Sequence, residues 1–341
     1  MRPSLVSKAI HTCLKANRAC MLWGAPGVGK SNIVAQYAGA NNFELIDLRL
    51  SQLDPVDMRG CPRIDLEALL TRWCPPDFLP QNGQGILFLD EINSAAQATQ
   101  AAAYQLILDR KLGAYVLPKE WSIISAGNRD TDRAIVNKMS TALRNRFTHI
   151  DVDTNVDDWC RWAMSADICD EIIAFIRFRP SLLCEFEPQA PSPQETARMN
   201  AVKDSRSFAS PRSWHALSDE FKVNTYKEIE LDLFTGNVGQ VAATEFMAFL
   251  THSRNMPNLD VILLNPLQAR LPTEPSAMYA VSVGLASRAT KDNFDRVMAY
   301  TNRLPTEFQT LMVKDAQFRR PEVASTSAFQ SWAIQNASAL L

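Results

Sequence analysis

The sequence predicts an α/β domain, with a parallel sheet between two layers of helices, followed by a region built of helices alone. Three observations support this prediction. A glycine-rich turn at residues 24–31 follows a short apolar run and precedes a helical pattern. A second apolar run, residues 86–89, is typical of a buried parallel strand and ends in two acidic side chains. From residue 157 onward, apolar residues recur at helical spacing.

The turn reads Gly-Ala-Pro-Gly-Val-Gly-Lys-Ser and fits the pattern G-x-x-x-x-G-K-[ST] of a phosphate-binding loop. Its glycines permit positive φ, so that backbone N–H groups can converge on anionic oxygens beside a helix N-terminus. Lys30 is predicted to reach the β- and γ-phosphates, and Ser31 to offer its hydroxyl to Mg²⁺. The alternative is a glycine-rich turn with an incidental lysine. The predicted nucleotide-binding residues are Gly24, Ala25, Pro26, Gly27, Val28, Gly29, Lys30, Ser31 and Asn32.

The elements around this loop follow from periodicity. Residues 5–16 are predicted to form a helix, and residues 18–23 contain the first strand. A second helix is predicted over residues 31–40 and a second strand over residues 43–48. Residues 61–84, which contain four prolines, are predicted to be irregular.

Two aromatic residues lie in this proline-rich stretch and allow two interpretations. Trp73 and Phe78 are more simply explained as anchors under a loop, and the alternative is an exposed contact with a partner.

The acidic pair at residues 90 and 91 predicts that catalytic side chains lie at one edge of the sheet. A strand over residues 86–90 would deliver its carboxylates beside the phosphate loop, because the carboxyl ends of parallel strands share one edge. Asp90 is predicted to hold Mg²⁺ through water, and Glu91 to polarise the attacking water as a general base. The pair is informative because it follows the loop by about sixty residues in an alternating strand–helix chain.

A polar amide follows the next long strand. Residues 92–110 are predicted to be helical, and residues 111–118 to form a short hairpin. Residues 121–126 read as a strand that ends in Gly-Asn. Asn128 is therefore predicted to hydrogen-bond the γ-phosphate or orient the water, and the alternative is an ordinary turn residue.

Two arginines precede the final strand of this half, which is predicted over residues 149–152. Arg144 and Arg146 allow two interpretations: solvated surface charges, or fingers that reach the γ-phosphate of a neighbouring subunit.

The second half is predicted to be helical. One long helix is expected over residues 157–178, with breaks at Pro180 and in residues 188–193. Another helix begins with Ser210 as its N-cap and Pro211 at its first position. Further helices are expected over residues 225–233 and 238–252, and residues 255–275 read as a connector.

The last part of the chain contains three more predicted helices, at residues 277–287, 292–303 and 305–316. They either extend the preceding helical core or dock a partner, and the sequence leaves both possibilities open. Arg319 and Arg320 are interpreted as solvated charges.

Composition limits the partners. A net charge of −2 gives no global basic excess for nucleic acid, and no apolar run reaches the roughly 18 residues of a membrane span. The seven cysteines contain no C-x-x-C pair, and their odd number favours reduced thiols and a cytoplasmic location.

The order of these motifs resembles the AAA+ ATPases and, within them, the MoxR-like branch. Residues 24–31 are similar to the Walker A motif, residues 86–91 to Walker B, and Asn128 to sensor 1. Residues 51–60 and the irregular region after them resemble the segment where this clade carries an insert in helix 2.

Two further segments share the resemblance. Residues 142–147 look like the arginine-finger segment, in which Arg146 fits best and Arg144 is a possible second finger. Residues 210–214 look like sensor 2, which implies that Arg212 contacts the γ-phosphate of its own subunit. The alternative for Arg212 is a surface charge at a helix N-terminus.

The resemblance covers residues 1 to about 250 and implies a P-loop NTPase αβα sandwich at residues 1–153 and an all-α lid at 154–253. The helical pattern beyond it predicts a C-terminal extension at 254–341. It implies Mg²⁺-dependent ATP hydrolysis in a homo-hexamer whose arginine fingers act in trans. The work expected is remodelling of a partner protein, with a von Willebrand factor A domain protein as the best candidate. Two alternatives remain: a DNA- or RNA-directed motor or loader, and a switch that binds ATP without hydrolysing it.

Overall fold

A computed structural model of the chain describes residues 1–67, 69–129, 137, 139–185, 206–254 and 258–337. It divides into two compact units, Met1–Asn155 and Val156–Leu341. The predicted helix break in residues 188–193 lies outside the described residues.

The first unit alternates strands and helices. Its helices are α1 (Pro3–Lys15), α2 (Lys30–Ala40), α3 (Pro55–Arg59), α4 (Gln97–Asp109) and α5 (Thr141–Arg144). Its strands are β1 (Cys20–Trp23), β2 (Glu44–Arg49), β3 (Cys61–Asp65), β4 (Leu70–Cys74), β5 (Gly85–Asp90), β6 (Lys111–Leu112), β7 (Tyr115–Val116), β8 (Trp121–Gly127) and β9 (Thr148–Asp151).

Five of these strands form one parallel sheet in the order β2-β5-β8-β1-β9. Side chains alternate along β5, so that Ile86 and Phe88 enter the core cluster containing α1 and α2. Leu87 and Leu89 enter the opposite cluster, which contains α4. The sheet therefore has helices on both faces, and the predicted αβα sandwich with a parallel sheet is confirmed.

The prediction that residues 61–84 are irregular is wrong for the first part of that stretch. Strands β3 and β4 pair antiparallel with each other and form a hairpin. Three of the four prolines that suggested irregularity follow β4, and only Pro62 lies within a strand. Trp73 is exposed on this hairpin, whereas Phe78 packs against the core as the anchor interpretation expects.

The second unit is helical throughout its described residues. Its helices are α6 (Val156–Ser165), α7 (Asp170–Phe178), α8 (Pro211–Val223), α9 (Glu230–Val238), α10 (Gln240–Arg254), α11 (Leu259–Leu264), α12 (Pro275–Arg288), α13 (Phe294–Thr301), α14 (Thr306–Arg319) and α15 (Ser327–Gln335). The predicted cap of α8 is confirmed: Ser210 Oγ accepts a hydrogen bond from the backbone N–H of Ser213 at 3.2 Å.

Two predictions for this unit need correction. The single helix expected over residues 157–178 is broken between α6 and α7, where Asp167 adopts φ 57°. The connector expected over residues 255–275 contains α11, and α15 was not predicted at all.

The C-terminal helices share a core with the helices before them. Helix α12 places Val283 in the cluster formed by α7, α8, α9 and α10, and Val281 and Leu285 in the cluster formed with α13, α14 and α15. These contacts support the interpretation that the last helices extend the preceding core. Among the described residues, no helix combines the length and apolar character needed to cross a membrane.

Candidate phosphate-binding site

The loop of residues 24–29 joins the end of β1 to the start of α2. Gly27 and Gly29 have φ of 77° and 98°, in the left-handed region that side chains disfavour. At Gly24 the obstacle is space, because a Cβ there would lie 2.8 Å from the carbonyl oxygen of Val152. The strand–loop–helix order expected of a phosphate-binding loop is therefore present.

Lys30 is folded back inside this loop. Its side chain is buried, and Nζ donates hydrogen bonds to the carbonyl oxygens of Gly24 at 2.7 Å and Ala25 at 3.1 Å. A third bond, at 3.0 Å, goes to Oδ1 of Asn128 at the end of β8. A buried ammonium is stable only with such partners. A phosphate in the loop would offer the same ammonium an anionic acceptor in place of neutral ones.

Ser31 and Asp90 bring two oxygens together at the edge of the sheet. Ser31 Oγ donates to Asp90 Oδ2 at 2.9 Å, and the other carboxylate oxygen accepts from the N–H of Glu91 at 2.8 Å. Desolvation and the charge of Asp90 raise the pKa of Asp47 on the adjacent strand, against the opposing effect of Arg49. A hydroxyl, a carboxylate and negative potential suit a hard cation such as Mg²⁺.

Glu91 has an unusual backbone conformation. Its φ is 55°, which is uncommon outside glycine and is often found at functional sites. Its carboxylate accepts a hydrogen bond from Ser51, in the short turn directly after β2. The helix predicted from residue 92 begins only at Gln97, after an extended Ala96 with ψ 147°. Ser51 was not predicted, although its position after a parallel strand places it at the same edge.

Asn93 anchors the peptide of Asn128. It is 2% exposed, and its Nδ2 donates to the carbonyl oxygen of Asn128 at 2.7 Å. Its Oδ1 has no hydrogen-bond partner among the described residues and lies 2.4 Å from the position a Cβ would take on Gly127. Glycine is therefore required at the end of β8. Asn93 was missed because nothing in its local sequence shows a contact with a residue so far along the chain.

The arginine segment is anchored by its apolar neighbours. Leu143 and Phe147 are buried, whereas Arg144 and Arg146 are exposed. His149 on β9 joins this segment to β1: its Nδ1 lies 2.8 Å from Nε1 of Trp23, and its Nε2 lies 2.8 Å from the carbonyl oxygen of Arg144. An indole N–H can only donate, so Nδ1 accepts and the Nε2–H donates to the carbonyl.

Seven of the predicted site residues thus take part in direct hydrogen bonds with one another: Gly24, Ala25, Lys30, Ser31, Asp90, Glu91 and Asn128. Arg144 and Arg146 lie on the surface of the same unit. Arg212 lies in the second unit, exposed in the first turn of α8.

Comparison with known proteins gives one family match. Residues 19–147 match the AAA domain, dynein-related subfamily. No curated protein matches the chain. Among solved structures, the Holliday junction branch migration motor RuvB of Thermotoga maritima is 17% identical, with 88% of this chain and 87% of that chain covered and a TM-score of 0.37. NtrX from Brucella abortus in complex with ADP is 12% identical, with coverage of 99% and 68% and a TM-score of 0.35. Neither likeness is close enough to bear on activity.

Proposed function

We propose that this chain, whose residues 19–147 match the AAA domain, hydrolyses ATP to ADP and phosphate with Mg²⁺ and acts in a ring of the MoxR-like branch. One observation carries the proposal. The buried Lys30 ammonium and the Ser31–Asp90 pair lie at the sheet edge where Glu91 and Asn128 directly follow β5 and β8. Positive charge for phosphate, oxygens for a cation and a carboxylate for water are the groups that phosphoryl transfer to water needs.

Each of these groups has a separate task. The loop N–H groups bind the phosphates, and Lys30 exchanges its carbonyl contacts for the β- and γ-phosphate oxygens. Ser31 Oγ and Asp90 would hold Mg²⁺, which neutralises phosphate charge when bound. Glu91 releases its hydrogen bond with Ser51 and polarises the attacking water, while Asn128 orients that water or the γ-phosphate.

The arginines complete the proposed site across subunits. Arg146, with Arg144 as a second candidate, would be supplied to the nucleotide of the neighbouring chain, because both guanidinium groups are exposed on an anchored segment. Arg212 would contact the γ-phosphate of its own chain. Hydrolysis would then require assembly, for which we propose a hexamer.

The proposed work is mechanical remodelling of a protein in the cytoplasm. The β3–β4 hairpin supports a protein partner because it exposes large apolar side chains: Ile64, Leu66, Leu69, Leu70 and Trp73. A von Willebrand factor A domain partner follows from the family resemblance alone. All seven cysteines are free thiols, which fits a reducing compartment.

Assembly tests the proposal directly. We expect the Glu91→Gln protein to bind Mg·ATP without hydrolysing it and to shift in native mass from a small species to a hexamer. The shift should require ATP, because the trans arginines bridge subunits only through the γ-phosphate. Arg146→Ala in the same background is the matched control and should weaken the shift. A chain that binds ATP and stays monomeric would contradict the ring and favour the nucleotide switch.

Asn93 gives a second prediction. Asn93→Ala should lower the kcat for ATP hydrolysis by about 10- to 100-fold, because the Asn128 peptide loses its anchor and the amide is misplaced. The KM for ATP should change by no more than about twofold, since the side-chain hydrogen bond that the structure describes for Asn93 goes to Asn128 and not to the loop. Gln100→Ala is the matched control, because this buried amide bonds the carbonyl of Ala95 and not Asn128. Equal losses in both variants would show that Asn93 acts only through stability.

A further inference from the structure

We propose that Cys61 and Cys74 form a reversible disulfide across the base of the β3–β4 hairpin, by exchange with a low-molecular-weight disulfide. The two residues are direct partners in the register of the hairpin. Both are exposed free thiols. This proposal does not depend on the nucleotide chemistry.

The register brings the two Cα atoms within the range of a disulfide. Pro62 has no N–H, so its pair with Trp73 cannot be of the type that exchanges two hydrogen bonds. Because the two types alternate along an antiparallel ladder, the neighbouring Cys61–Cys74 pair is hydrogen-bonded, with Cα atoms about 5.5 Å apart. Disulfides most often join Cα atoms separated by about 5.5–6 Å, and they prefer Cβ atoms about 3.5–4.5 Å apart. Opposed Cβ atoms in a hydrogen-bonded pair are up to about 5.5 Å apart, so closure requires a small shift of the strand ends and gives a bond that is readily reduced.

The two strand ends also approach each other closely just before this pair. A Cβ on Gly60 would lie 1.9 Å from the carbonyl oxygen of Cys74, and φ at Gly60 is 80°. Glycine is therefore needed for the chain to enter the hairpin beside Cys74. The close approach holds the two cysteine backbones in place before any bond forms between their sulfurs.

The disulfide forms by thiol–disulfide exchange in two steps. One cysteine thiolate attacks a sulfur of the small disulfide, forms a mixed disulfide and releases one small thiol. The second cysteine thiolate attacks the protein sulfur of the mixed disulfide and releases the other small thiol. The protein loses two S–H protons and gains one S–S bond, and the small disulfide is reduced. Arg63 and Arg72 share the cysteines' face of the hairpin with Asp65, which pairs with Arg72 at 2.8 Å. The attraction of this face for an anionic reagent such as oxidised glutathione therefore comes mainly from Arg63.

The bond has a structural consequence for the hairpin. Among the residues that the structure describes, strands β3 and β4 pair with each other and with no other strand, and an isolated two-stranded hairpin is marginally stable in water. A slip of one residue would exchange the two faces of such a ribbon. A disulfide at the base fixes the register, and with it the face that carries Ile64 and Trp73.

Cys13 and Cys20 are a second pair of cysteines that an oxidant could link. A hydrogen bond from Cys20 lowers the pKa of the Cys13 thiol to about 6, despite the opposing effect of burial. Cys13 is however only 7% exposed and Cys20 is fully buried, so a reagent the size of glutathione cannot reach them in the folded chain.

Peptide mapping after oxidation distinguishes the two pairs. The full chain is treated with oxidised glutathione, blocked with N-ethylmaleimide and digested with trypsin. We expect the tetrapeptide 60–63 to be joined to peptide 73–110, and the link to disappear with dithiothreitol. Cys61 and Cys74 should lose maleimide labelling in equal proportion. Cys61→Ser and Cys74→Ser should abolish the link, and Cys13→Ser should retain it.

Two results would overturn the proposal. One is separate glutathione adducts on Cys61 and Cys74 without a linked peptide, and the other is a Cys13–Cys20 link in their place. Amide hydrogen exchange adds an independent readout: residues 61–74 should exchange more slowly after oxidation of the wild type, and Cys61→Ser should show no such change. Unchanged exchange in a fully linked protein would contradict the fixed register.

Discussion

Replacing Lys30 with alanine is expected to reduce ATP turnover by about 10²- to 10³-fold, the usual loss when one donor to a developing negative charge is removed. The effect should be this large because the ammonium is buried and already directed into the loop. Lys30 Nζ donates to two loop carbonyls and to the Asn128 amide oxygen, and the substitution removes this shared donor from all three. Phosphate release should be measured at saturating ATP, together with nucleotide affinity.

The matched control for this prediction is Lys15→Ala, which removes an exposed lysine at the end of α1. It should leave turnover unchanged. Thermal unfolding of both variants separates loss of catalysis from loss of fold. Turnover that survives Lys30→Ala in a folded protein would contradict the proposed ATPase.

The second large effect is expected in the helical unit. Asp315 on α14 accepts a hydrogen bond from Arg177 on α7 at 2.7 Å, and their side chains are only 5% and 14% exposed. Burial raises the pKa of Asp315, and the charges of Arg177 and Arg319 offset part of this effect. Asp315→Ala leaves Arg177 as a buried unpaired charge and should destabilise the unit by about 3–5 kcal/mol.

Amide exchange in α7 and α14 measures this loss, because it reports the stability of the unit that contains the pair. Asp295→Ala, on the exposed side of α13, is the control and should change stability by no more than about 0.5 kcal/mol. The double variant Arg177→Met with Asp315→Leu should recover most of the stability, since it removes both charges. A double variant as unstable as Asp315→Ala would mean that packing, and not the unpaired charge, causes the loss.

The fold was predictable where local patterns decide the structure. The apolar run before Asp90 favours a buried strand, and the glycines of the loop permit the positive φ that the turn requires. The prediction failed where tertiary contacts override local signals. The β3–β4 hairpin forms despite Pro62, and the helix over residues 157–178 breaks at Asp167 without a glycine or proline.

The same division applies to the candidate site. Lys30, Ser31 and Asp90 could be selected because a fixed spacing links each residue to a task. Ser51, Asn93 and His149 could not, because their roles arise from contacts with residues that are distant in sequence. Arg319 is a case in which a distant contact makes the sequence-based interpretation wrong. The sequence suggests a solvated charge, but the side chain is largely buried and donates to Asp170 at 2.6 Å.

The bonds of His149 have a consequence for communication in the proposed ring. Trp23 is the last residue before the phosphate loop, and the imidazole ties its indole to the backbone of Arg144. The start of the phosphate-binding loop and the segment that carries Arg144 and Arg146 are therefore mechanically coupled. A neighbour that pulls on Arg144 or Arg146 also pulls on the strand that leads into this subunit's own nucleotide. Each chain would thus sense the occupancy of the adjacent site through His149, together with the pairing of β1 and β9.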